Sequence, residues 1–282
     1  MSRALRVSIL VVVALAAGYA LWKHGPIRQD PGYHRFADTR TMIGVPSALN
    51  VVSNLPFLLV GVAGIAFLRR GPTRDRDGPF RPGAHTAFDS LRERPAYVLF
   101  FVGVLLTTFG SGYYHLAPST DRLFWDRLPM TVGFTALFAA VIAERISVYW
   151  SRMLLLPFVF LGVASVVFWR ITEQSGRGDL RPYLFVQFFP MVALPLMLAL
   201  FPPRYSRGSS MLVVILVYAV AKAAEYFDPQ ILELTQRVVS GHSVKHLVAA
   251  LATWFVLDML RKRGRARLPL DDAMAEHADQ EA

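Results

Sequence analysis

Histidine ring nitrogens take a transition metal or a proton near neutral pH more readily than any other side chain, and this chain has seven histidines. Two of them, His242 and His246, lie four residues apart in an otherwise apolar run. On a helix that spacing puts both imidazoles on one face, where they can grip a single metal ion. A third nitrogen from another helix would leave one coordination position open, as catalytic zinc requires. His115, at the end of a different apolar run, is placed to supply it. The plainer reading of each is an interfacial histidine bonded to backbone or water.

Two further residues join the set. Ser111 precedes His115 by four and shares its helix face. A hydroxyl there could donate to a developing oxyanion, or, within Gly110-Ser111-Gly112, could serve helix packing. Asp126 follows His115 by eleven residues, where a short loop is expected to enter the next helix. A carboxylate beside an activated water can act as general base and then as general acid. The same Asp126 could equally be a helix N-cap, or a surface partner of Arg122 or Arg127. Lys222, Glu225 and Asp228 form a third polar group. Lys222 and Glu225 are three apart and can pair on one face. Lys245 is expected to point away from the face of His242 and His246. Trp125, Trp150 and Trp169 suit interfacial belts.

These residues need elements to hold them, and the composition says which. Of the 282 residues 54% are hydrophobic and only 18% charged, against roughly 45–50% and about 25% for ordinary soluble domains. The apolar residues come in runs of about 20, the length that crosses a bilayer as a helix. Eight such spans are expected, near 4–22, 46–68, 96–116, 129–148, 152–170, 183–201, 210–227 and 241–260. The fold class is therefore an all-α polytopic membrane protein, a seven-helix core plus one N-terminal helix. The divisions are 1–23, a membrane helix or signal anchor; 24–262, the seven-helix domain; and 263–282, a disordered acidic tail. The first segment also resembles a cleavable secretory signal, with Arg3 and Arg6 before an apolar stretch ending in small residues. There is no cysteine, which excludes disulfides, thiolate metal sites and cysteine nucleophiles.

The net charge of +10 is read as membrane topology and not as a nucleic-acid surface. With the N-terminus inside, eighteen Lys and Arg fall in inner segments and ten in outer ones, with Lys222 and Lys245 inside helices. The positive-inside rule then puts both termini in the cytoplasm. It also puts His115, His242 and His246 together at the outer ends of their helices. Arginine far outnumbers lysine, which suggests a bacterial inner membrane.

Ser111-Gly-Tyr-Tyr-His115, then Asp126, then His242-Ser-Val-Lys-His246 in the last helix resembles the alkaline ceramidase family. That family belongs to a superfamily of seven-helix zinc-dependent membrane hydrolases that includes the adiponectin receptors. Asn50-Val-Val-Ser53-Asn54 is similar to the family's first-helix sequence, and the likeness covers about residues 33–260. The resemblance implies zinc held by His115, His242 and His246, proton transfer by Asp126, and oxyanion stabilisation by Ser111. The implied reaction is hydrolysis of the N-acyl amide of a ceramide-like lipid to a fatty acid and an amino lipid. Family ceramidases also carry an acidic calcium site before the first core helix. The stretch Tyr33 to Ser47 offers Asp38 but no carboxylate cluster, which leaves a Ca2+ site doubtful and ceramide itself in question. Read from the residues alone, Asn50, Ser53 and Asn54 cement helix contacts. Two other functions stay open: a receptor-like seven-helix protein with a structural zinc site, and a transporter using Lys222, Glu225 and Asp228 as a charge relay.

Overall fold

A computed structural model describes residues 1–70 and 87–264. Among them the chain is helical, with no strand beyond isolated bridge residues, Met42 paired with Val45 among them. The order is α1 (Arg3–His24), α2 (Ala48–Val52), α3 (Leu55–Arg70), α4 (Arg94–Leu116), α5 (Thr120–Arg145), α6 (Val148–Gln174), α7 (Arg181–Leu200), α8 (Ser210–Tyr226), α9 (Asp228–Leu234) and α10 (Gly241–Lys262). Among the described residues seven helices are long and apolar enough to cross a membrane, α2 and α3 counting as one; α8 with α9 is an eighth if that bent pair is one span. This is the all-α polytopic architecture expected from the apolar runs. Arg74, Arg76 and Arg81, expected on the inner side, and the tail from residue 265 lie outside the described residues.

Burial ranks the helices. The apolar window of α5 is 72% buried, whereas that of α1 is wholly unburied, so α5 is the axis of the bundle and α1 a peripheral addition. The helix α1 packs against α7 and turns Val12, Leu15, Tyr19 and Trp22 outward. Exposed apolar faces of this kind suit lipid contact and would be costly in water. Small residues let the inner helices approach. A Cβ on Gly103 would stand 2.6 Å from the backbone nitrogen of Gly133, and one on Gly110 would collide with the carbonyl oxygen of Trp125. Both glycines sit where α4 crosses α5, the two helices that carry Ser111, His115 and Asp126.

Four expectations change. The helix α5 begins at Thr120, nine residues before the apolar run, because the Ser119 side chain accepts a hydrogen bond from Arg122 N and caps it. Asp126 is thus inside the second turn of a helix and not in a loop. Trp169 is fully buried and not interfacial, with the Arg127 guanidinium 4.3 Å above its ring. Trp125 and Trp150 are exposed. The helix expected near 210–227 ends at Tyr226, and the chain bends by 82° into α9. Arg263, the first residue of the expected disordered tail, is buried; it is ion-paired with Glu144, donates to Ala87 O at 2.7 Å, and lies 4.2 Å from the Tyr205 ring.

Candidate metal centre

Three helices bring the site together. From α4 come Ser111 and His115, from α5 Asp126, and from α10 His242 and His246, all buried. His115, His242 and His246 each offer a nitrogen within 4.8 Å of the others, and this group could hold a metal ion. His115 Nε2 and His242 Nε2 are 3.2 Å apart. Tetrahedral ligands about 2.05 Å from zinc stand about 3.3 Å from one another, so the spacing matches two ligands of one ion. The three rings meet at steep angles, 67° to 90°.

The surroundings fix how the rings present themselves. Ser53 Oγ donates to Asn50 O at 3.2 Å and lies 2.8 Å from His246 Nδ1. With a metal on Nε2, which lies 3.5 Å from Ser111 Oγ, the proton would sit on Nδ1 and Ser53 Oγ would accept it. A ligating histidine held this way through its other nitrogen is the usual arrangement at metal sites. The helix α10 is itself positioned by Asp228, whose Oδ1 accepts from His242 N at 2.7 Å. Ser240 caps the helix through Ser243 N. Asn50 joins the elements: its Nδ2 donates to Asp38 O and its Oδ1 accepts from Ser243 Oγ.

The segment 25–47 lies across the histidines. The Phe36 ring is centred 4.7 Å from His115 and 4.4 Å from His242. Ala37 N donates to Asp228 Oδ2, and His34 bridges Tyr114 and Thr120. Burial holds the His34 imidazole below its ordinary value, and nearby Arg127 adds to that push. Asp38 is forked by Arg40 through both oxygens, and this bonding holds its carboxyl below the usual range. Those oxygens serve a salt bridge, and the only group among the described residues that could hold a metal ion is the histidine group.

Beside the histidines runs a cavity. Ser111, Asp126, His246, Lys222, Glu225 and Lys245 form its polar end, and Phe57, Phe100, Met130, Phe134, Leu194 and Val214 are among its apolar walls. Asp126 faces the Ser111 hydroxyl there. The structure therefore gathers all five expected site residues. It also adds residues read differently from sequence. Ser53 and Asn54, taken for helix cement, contact His246 at 2.8 and 3.5 Å. Lys245, expected to point away, reaches His242 Nε2 at 3.1 Å; positions three apart on a helix are neighbours, and that signal was available. Asp228 bonds to backbone amides instead of extending a relay from Lys222 and Glu225. Phe36 carried no sequence signal.

No protein-family model matches the chain, and neither a curated protein nor a solved structure does.

Proposed function

We propose that this protein is a zinc-dependent lipid amidase of the alkaline ceramidase kind, cleaving the N-acyl amide of ceramide-like lipids. The observation that carries the reading is the convergence of three buried histidines with Ser111 and Asp126 at the polar end of an apolar cavity. Three imidazoles and no thiolate favour zinc among the metals that nitrogen ligands accept. Held by His115, His242 and His246, zinc would supply a Lewis acid and acidify water toward neutral pH.

The chain's own groups then divide the work. The apolar walls take the acyl chain and place its carbonyl at the histidine end. Ser111 Oγ donates a hydrogen bond to the carbonyl oxygen as charge develops on it. Asp126 accepts a proton from the attacking water and returns it to the departing amine nitrogen. Phe36 excludes bulk water from the face of His115 and His242, which strengthens every charge interaction inside. The products are a fatty acid and an amino lipid. A bacterial inner membrane, with both termini cytoplasmic and the site near the outer face, accounts for the distribution of arginine.

The receptor-like alternative has less support. A structural zinc site is normally closed by four protein ligands, and the group among the described residues has three. The test is purified protein with fluorescent N-acyl lipids. Fatty acid release should vanish on chelation and return with zinc. Asp126→Asn should keep its metal and lose turnover about 100-fold or more, the usual worth of general acid–base catalysis. Stoichiometric zinc with no turnover on any amide or ester lipid would favour the receptor reading.

A further inference from the structure

The cavity carries a charge pattern that amide hydrolysis itself does not use. Lys222 and Glu225 of α8 are ion-paired. Lys245 of α10 reaches the other oxygen of the same carboxylate at 3.1 Å. One carboxylate thus serves two ammonium groups, and all three side chains line the cavity. The Lys245 ammonium also stands 3.1 Å from His242 Nε2, which brings positive charge to the edge of the histidine group. The Tyr33 hydroxyl, 3.3 Å from Glu225 Oε1, belongs to the same wall. The remaining carboxylate of the cavity, Asp126, faces Ser111.

An ammonium has three donors and no acceptor. Among the described residues Lys222 has Glu225 as its only hydrogen-bond partner. Two ammonium groups sharing one carboxylate leave Lys222, 31% exposed, with donors that water or a further acceptor in the cavity can take. A neutral hydroxyl headgroup is a weak acceptor for that role. A carboxylate or phosphate makes charge-assisted bonds roughly twice as strong.

Building on the amidase reading, we propose that Lys222 and Lys245 select lipid amides whose amine side carries an anionic group, a carboxylate or a phosphate. The acyl chain lies in the apolar part of the cavity and the anion meets the two ammonium groups beside His242. Hydrolysis breaks the amide C–N bond. The hydroxyl of water goes to the acyl carbon and a proton goes to nitrogen, which leaves a fatty acid and an amino acid or amino phosphate. The chain would then act on acidic N-acyl lipids in preference to neutral ceramide.

Binding tests this without turnover. Full-length protein in zwitterionic micelles is titrated calorimetrically with N-palmitoylglycine, N-palmitoylethanolamine, the phosphate ester of the latter, and palmitate. At least one anionic conjugate should bind tenfold or more tighter than the neutral one, and the tighter of the two names the anion. Lys222→Met should reduce the preference, and Lys222→Met with Lys245→Met should abolish it. The single variant keeps the test alive if the double variant does not fold. Equal affinity for neutral and anionic conjugates overturns the proposal, as does a preference that survives Lys222→Met undiminished. Palmitate binding as tightly as both conjugates also overturns it, because the lysines would then read the acyl end. Anionic preference without hydrolysis sustains this proposal and removes the amidase reading; hydrolysis without anionic preference does the reverse.

Discussion

Replacing Ser53 by alanine isolates the part of the site that orients a ligand without touching the ligand set. Ser53 Oγ lies 2.8 Å from His246 Nδ1, where it would accept the Nδ1 proton of a metal-bound ring. The other nearby side chain, Asn54, presents its amide nitrogen at 3.5 Å, and a donor cannot replace the lost acceptor. With metal on Nε2 the proton must stay on Nδ1, so the variant would hold a buried N–H without a partner. That costs about 1–3 kcal/mol. The metal-free imidazole escapes the cost by moving its proton to Nε2, toward Ser111 Oγ at 3.5 Å. The loss therefore falls on the metal-bound state. Zinc affinity should drop about 10- to 100-fold, the range usual for such outer partners, equivalent to about 1.4–2.8 kcal/mol. Equilibrium competition against a chromophoric chelator measures it, with thermal unfolding as the control for folding. Unchanged affinity in Ser53→Ala, alongside loss of binding in His246→Ala, would refute the assigned tautomer and the bond behind it.

Gly110→Ala should push α4, with Ser111 and His115, away from the Trp125 carbonyl of α5; turnover and zinc affinity should both fall, read by fatty acid release and by metal content. Arg263→Ala strands the buried Glu144 carboxylate, and breaking a buried pair costs about 3–5 kcal/mol; thermal unfolding in detergent should show a large drop, and Arg263→Ala with Glu144→Gln a smaller one. Asp38 has its folded pKa lowered by bonding to Arg40, so its stabilisation is present above the unfolded carboxyl range near pH ~4 and disappears as pH falls through the depressed value. The melting difference between wild type and Asp38→Asn should be full at neutral pH and close as the medium is acidified below that range.

The spans were legible because lipid forces every backbone group into a helix and leaves a run of apolar residues as its signature. The histidine group was legible for a related reason. A period of 3.6 residues fixes which side chains share a face, so His242 with His246 and Ser111 with His115 could be paired before any tertiary structure was known. The start of α5 was hidden because Asp121, Arg122, Asp126 and Arg127 break the apolar signal, although Ser119 was a capping residue in plain view. Trp169 was misplaced because a tryptophan near a span end has two homes, and only the burial of Arg127 beside it decides between them. Ser53, Phe36 and Asp228 owe their places at the site to contacts across long stretches of sequence, which no local period encodes. The Lys245 reading failed on geometry that was available: a residue three after His242 is still its neighbour.

The most direct measurement is zinc K-edge X-ray absorption on the purified full-length protein, compared with His242→Ala. The account predicts about one zinc per chain in the wild type, with the scattering of three imidazole rings at 2.0–2.1 Å. It predicts a collapse of both occupancy and ring scattering in the variant. A protein that takes up no stoichiometric zinc, or one whose metal keeps the same imidazole shell in His242→Ala, would contradict it.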